Sequence, residues 1–162
     1  AIKHVIDWYI ESLGDITLEN NIISIQIALE ALSYIILVEK EGLLDDEQFD
    51  QNNASKNIKL VLNACNIPHG SDELELFDDW IRGKFDDGVD LVIYFRNKIV
   101  HPVRKGNRAN LTVEDMWNII QIGTKYIELI VLSFIGYKGE YSNRLKERWF
   151  GEVEVVPWNK LD

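Results

Sequence analysis

The sequence predicts an all-α fold: an antiparallel bundle of four to five helices, with one short extra helix and an irregular C-terminal tail. Apolar residues recur at three- and four-residue spacings over most of the chain, the signature of helices with one buried face. Most connections between these stretches are short, which favours antiparallel neighbours. Alternation at period two is confined to EVEVV near the C-terminus. With 162 residues, 46% of them apolar, the chain has enough material for one core, and a single helical domain over 1–162 is expected.

In the first helix Ile2, Val5, Ile6, Tyr9 and Leu13 follow helical spacing and stop at Gly14. From Leu18 to Glu41 the pattern is apolar almost all round, as expected of a central, buried helix. Its polar exceptions Glu19, Gln26, Glu30 and Ser33 fall on one narrow stripe. A third helix is predicted over Asp46 to Cys65, ending before the turn at Pro68 and Gly70. The acidic stretch DELELFDDWIRGKFDDG then reads as a short helix with Leu74, Phe77, Trp80 and Ile81 on its inner side. A fourth helix runs from about Gly88 to Val100. Thr112, with Asp115 three residues on, opens the last long helix as a capping box, with Met116, Ile119, Ile120, Gly123, Ile127, Ile130 and Phe134 facing inward.

Composition narrows the function. Cys65 is the one cysteine, which excludes an internal disulfide and a cysteine-based zinc site, and reads as a small buried residue. His4 and His69 lack a second histidine at ligand spacing, and the acidic clusters lack the pattern of a calcium loop, so neither metal nor cofactor is expected. The pair Gly136 and Gly139 reads as a turn at a helix end. No run of 18 or more uninterrupted apolar residues occurs, and a cytoplasmic protein without a membrane segment is expected. The chain enters amphipathic sequence at Ala1, the pattern of a piece of a longer protein, so the rest of a parent chain is an expected partner.

Net charge is −10, which disfavours nucleic acid, yet the charge is unevenly spread. From Arg96 to Val113 there are five cations (Arg96, Lys98, Arg104, Lys105 and Arg108), one histidine and no carboxylate, leaving 12 Lys and Arg against 27 Asp and Glu elsewhere. In this island lies YFRNKIVHP. At 100° per residue, Val92, Ile93, Phe95, Ile99 and Val100 span an arc of about 160° that includes Arg96, an unfavourable place for an unpaired guanidinium. Pro102 disfavours helical geometry at His101, so the imidazole is expected to leave the helix and turn toward the arginine. The same pattern also fits a buried Arg96 paired with Glu30 or Glu128, with His101 as a C-terminal cap.

Arg96 followed by Asn97, with His101 and Pro102 at the helix end, after a central ALEAL helix and before GYKGEY and NRL, resembles the HEPN superfamily and within it the ApeA-like group. The resemblance spans most of residues 18 to 148 and places such a domain at the C-terminal end of a longer bacterial defence or toxin protein. It implies a metal-independent endoribonuclease acting as a homodimer, with Arg96 and His101 catalytic, Asn97 orienting the imidazole or touching the phosphate, and products ending in 2′,3′-cyclic phosphate and 5′-OH. The chemistry suits the residue types: RNA supplies its own nucleophile, so the protein needs a proton carrier and a cation on the phosphate. Lys98, Arg104, Lys105 and Arg108 would hold RNA, Glu30 would support Arg96, and Arg144, Lys146 and Arg148 would extend the basic surface. Where HEPN members neutralised by nucleotidyl transfer have a tyrosine two residues after the histidine, this chain has Val103. Two other readings stay open: a non-catalytic module that dimerises the parent or binds a nucleotide or RNA, and a structural helical interaction domain. The tail aromatics Tyr137, Tyr141, Trp149 and Trp158 are expected to pack rather than to stack on bases.

Overall fold

A computed structural model describes residues 2–14, 17–101, 111–146 and 151–159. The fold is all-α, with seven α-helices and a single two-stranded ribbon among the described residues. The helices are α1 (Ile2–Ser12), α2 (Leu18–Tyr34), α3 (Asp46–Gln51), α4 (Ala54–Ala64), α5 (Asp79–Arg82), α6 (Gly88–Val100) and α7 (Val113–Phe134). A π-helical turn, Ile35–Lys40, prolongs α2, and a 3₁₀ segment, Ser71–Leu76, precedes α5.

The centre of the bundle is α2, packed against α1, α4, α6 and α7. Thr17 starts it by accepting the Asn20 N–H, and Ile22, Ile25, Leu29 and Leu32 along it are wholly buried. Beyond the π turn Gly42 adopts φ 59° and the Leu37 carbonyl accepts the Leu43 and Leu44 N–H groups at 2.8 and 3.1 Å, which closes the helix. Leu18–Lys40 is long and apolar enough to cross a membrane by length and composition, with a mean hydropathy of 1.8. Because 67% of that window is buried among the other helices, it serves as the core helix of a globular domain.

Opposite lies α7, opened by the expected capping box: Thr112 Oγ1 accepts the Asp115 N–H at 3.0 Å and Asp115 Oδ2 accepts the Thr112 N–H at 2.9 Å. Gly123 lets α7 approach α2 closely, since a Cβ there would overlap Ile25 Cγ2. The tail hairpin pairs β1 (Glu140–Tyr141) antiparallel with β2 (Glu154–Val155), in register Glu140 with Val155. Tyr141 and Trp158 pack against the core as expected, Trp158 Nε1 also donating to the Tyr137 carbonyl at 2.7 Å, whereas the Tyr137 side chain is exposed; Trp149 lies outside the described residues.

The structure corrects four expectations. The predicted third helix is two, because Asn52 is extended and Asn53 accepts the Lys56 N–H at 2.8 Å as the N-cap of α4. Asn side chains bond readily to nearby backbone and so compete with a continuous helix. Trp80 is not on the inner side of its segment: it is 49% exposed, whereas Leu74, Phe77 and Ile81 are buried. Ile6 on α1 and Leu13 just past its end face solvent. The buried face of α6 is formed by Gly88, Val89, Leu91, Val92 and Phe95. Its centre is displaced toward Leu91 from the sequence-derived arc, which leaves Arg96 roughly 80° off it and half-buried at the border.

Candidate functional site

Asp87 caps the N-terminus of α6 by accepting the Asp90 N–H at 3.0 Å, and His101 closes the other end, its N–H donating to the Asn97 carbonyl at 2.9 Å. His101 has φ −114° and ψ 78°, outside the helical region, and is exposed. Between them Arg96 Nη1 donates to Asn97 Oδ1 at 3.2 Å, while Arg96 Nε is buried with no hydrogen-bond partner among the described residues. Pro102, Arg104, Lys105 and Arg108 lie outside the described residues, as does Arg148.

The carboxylates considered for Arg96 are engaged elsewhere. Glu30 accepts a hydrogen bond from Gln26 one turn earlier on α2. Glu128 accepts the Tyr9 hydroxyl at 2.7 Å and Arg144 Nε and Nη2 at 2.9 and 2.6 Å. These bonds to Glu128 push the Arg144 guanidinium up from its ordinary range, and burial with the same carboxylate pushes the Tyr9 phenol up. Arg144 and Lys146, which pairs with Glu154, are therefore bound into the tail and do not extend a free basic surface.

Sequence reasoning placed Asp90, Tyr94, Asn97 and His101 on one polar arc but missed the aromatic and cationic cluster that Lys84 builds against Tyr94. Lys84 Nζ donates to Tyr94 Oη at 2.7 Å and lies 4.0 Å from the centre of that ring, 5.1 Å from Trp80 and 5.5 Å from Phe85. Lys98 Nζ is 5.3 Å from the Tyr94 ring. The Lys84 hydrogen bond holds the Tyr94 phenol below its ordinary range. Tyr94, Asn97 and Lys98 are spaced i, i+3 and i+4 and so share one face of α6, whose C-cap is His101. The available signal was the mix of aromatic and cationic residues in WIRGKF, whose Lys84 stands ten residues before Tyr94.

A second polar group ties the acidic excursion to the bundle. Lys125 Nζ reaches Glu73 Oε1 at 2.8 Å, and the Tyr126 hydroxyl donates to Glu73 Oε2. Burial pushes the Tyr126 phenol well above its usual range. Nearby, Lys59 bridges Asp87 and Asp90 at 3.0 and 2.7 Å, and His69 stands between Asp87 and Asn63. All of these groups have protein partners, which marks them as structural. Among the described residues no group of three or more His, Cys, Asp or Glu gathers to hold a metal ion. An open apolar cavity of about 580 Å³ between α1, α7 and residues 141–144 shares no residue with the α6 face.

Residues 1–155 match the family described as the YopA C-terminal domain. The chain is 34% identical over 164 residues to an SPbeta prophage-derived uncharacterised protein YopA of Bacillus subtilis (strain 168). The match covers 100% of this chain and 36% of that protein, so the chain spans about a third of the length of the curated relative. No solved structure matches. These findings overturn the HEPN resemblance, since the family matched over nearly the whole chain is a different one and no HEPN family matches. The physical reason is economy of motif: three polar residues at the end of a helix in an all-α bundle are compatible with many unrelated families.

Proposed function

We propose that this chain, which belongs to the YopA C-terminal domain family, binds RNA at the exposed end of α6 and cleaves it with Arg96 and His101. The observation that carries the reading is the state of Arg96: a half-buried guanidinium with no carboxylate partner among the described residues, its Nε sealed from solvent and unbonded. Partial burial of a charge costs free energy unless an anion compensates it, and arginine's planar fork fits the oxygens of a phosphate. His101 supports the same reading because it sits one turn further on, exposed and turned out of the helix. Histidine is the side chain best suited to carry a proton near neutral pH.

In the proposed reaction the RNA 2′-OH attacks the adjacent phosphorus and the P–O5′ bond breaks. His101 takes the 2′-OH proton, which returns through solvent or the imidazole to the departing 5′-oxygen. Arg96 offsets the charge that develops on the phosphoryl oxygens, and Asn97 Oδ1 steadies the guanidinium through Nη1. The products carry a 2′,3′-cyclic phosphate and a 5′-OH. The bacterial cytoplasm, where RNA is at hand, is the proposed compartment, and the prophage origin in the relative's name suits a protein carried by a mobile element. The homodimer rested on the superseded resemblance alone and forms no part of the proposal.

His101→Ala should lower the cleavage rate about 10²–10⁴-fold, the range for losing a general acid–base group, with the helical circular dichroism unchanged because the side chain is exposed. Arg96→Ala should cost about 10²–10³-fold, as for a lost donor to a developing anion. Cleavage by both variants at the parental rate would refute the assignment.

A further inference from the structure

We infer that Trp80, Lys84, Tyr94 and Lys98 form a platform for single-stranded RNA that leads a strand along α6 to His101. This rests on the cleavage reading and names its substrate class, unpaired rather than duplex RNA. In a chain carrying 17 Lys and Arg against 27 Asp and Glu, a surface cation is expected to find a carboxylate. Lys40, Lys59, Arg82, Lys125, Arg144 and Lys146 do. Lys3, Lys56, Lys84, Arg96, Lys98 and Lys138 have none among the described residues, and of these six Lys84, Arg96 and Lys98 gather on or against α6.

Instead of carboxylates, the two lysines have aromatic rings and a phenol. Lys84 Nζ sits 4.0 Å from the Tyr94 ring centre and 5.1 Å from that of Trp80, and Lys98 Nζ sits 5.3 Å from Tyr94. A ring face offsets only part of an ammonium's charge at the surface, so both cations remain attractive to an anion. Trp80 supplies the second half of the chemistry: a large indole, 49% exposed, at the edge of the cluster. Ring surface beside unpaired cations is the combination that holds single strands, in which a base stacks while a phosphate meets the charge. A duplex keeps its base faces inside and offers nothing for the indole. Tyr94 and Lys98 lie one turn apart on one face of α6, and His101 is the C-cap of that helix, so a strand anchored at Trp80 that follows this face toward the C-terminus runs to the end that carries the imidazole.

The test uses the 162-residue chain and a fluorescently labelled 2′-O-methyl oligonucleotide, which lacks the nucleophile and cannot be cleaved, so binding is read apart from catalysis. Fluorescence anisotropy should show the single strand held more tightly than the same sequence as a duplex. Trp80→Ala and Lys84→Gln should each raise Kd about tenfold, the loss of one stacking or phosphate contact. Lys138→Gln, the same charge change at an exposed site on the tail turn, should leave Kd unaltered. Parental Kd values in Trp80→Ala and Lys84→Gln, an equal loss in Lys138→Gln, or equal affinity for the duplex would each overturn the inference. Binding that depends on Trp80 and Lys84 while unmodified RNA stays intact upholds the platform and refutes only the cleavage reading. Cleavage by a chain whose Kd ignores both substitutions does the reverse.

Discussion

Replacing Lys125 with Met removes one partner of a buried ion pair and keeps much of the side-chain volume. Lys125 and Glu73 are 10% and 7% exposed at the side chain and 2.8 Å apart, and Glu73 also accepts the hydroxyl of Tyr126, which is wholly buried. The carboxylate lies against the backbone of α6, where a Cβ on Gly88 would come within 2.9 Å of Glu73 Oε2. In Lys125→Met the carboxylate keeps one hydrogen bond and loses its counter-charge, and breaking such a pair costs about 3–5 kcal/mol. Lys125 also borders an open cavity of about 360 Å³ with polar and apolar walls. Access from that side sets the expected loss near the lower end, about 3 kcal/mol. For a chain of this length that lowers Tm by roughly 6–12 °C. Urea unfolding followed by circular dichroism measures it, and Glu73→Gln added to Lys125→Met should restore at least half the loss, because glutamine still accepts from Tyr126 without a charge. A loss under about 1 kcal/mol, or a double variant no better than the single one, would refute the view that an unpaired buried carboxylate is what costs stability here.

Gly123→Ala gains about 1 kcal/mol of helix propensity but drives a Cβ into Ile25 Cγ2 on the wholly buried face of α2, an overpacking cost of about 1–3 kcal/mol, so the urea midpoint should fall. A midpoint at or above the parental one would contradict the close contact of α2 and α7. At Glu154 burial pushes the carboxyl up, but hydrogen bonds from Lys146, Asn143 and Tyr141 and the Lys146 charge outweigh it and hold the group at about 2 against an ordinary 4.5. A carboxyl depressed by folding contributes stability that is present above 4.5 and is lost as pH falls toward 2. The stability gap between the parent and Glu154→Gln should therefore be widest above pH 5 and close between pH 4.5 and 2; a gap that stays constant with pH would count against the tail network.

What the sequence reveals of this molecule depends on how local the cause is. The Thr112 and Asp115 box, the stop at Gly14 and the span Gly88–Val100 each follow from residues a few positions apart, and each is found in the structure. The extra break at Asn52 and Asn53 is also local, but apolar spacing alone passes over it, because the signal is carried by two small amides rather than by Gly or Pro. Trp80 and the true buried face of α6 were not legible: which side of a helix faces inward depends on what α2, α4 and α7 present to it. The Lys84–Tyr94 and Lys125–Glu73 contacts join residues 10 and 52 positions apart, which no periodicity reports. At the candidate site the sequence singled out Arg96 and His101 but supplied Glu30 and Glu128 as counter-charges that the fold uses elsewhere. It also lent a three-residue motif a family that the comparison over residues 1–155 replaces.

The central claim is that Arg96 and His101 cleave RNA through its own 2′-OH. Its most direct test is end-group analysis of an RNA oligonucleotide incubated with the chain in EDTA. The account predicts 2′,3′-cyclic phosphate and 5′-OH ends, made at the same rate with and without the chelator and lost in His101→Ala and Arg96→Ala. Intact RNA, cleavage abolished by EDTA, or 3′-OH and 5′-phosphate ends would contradict it.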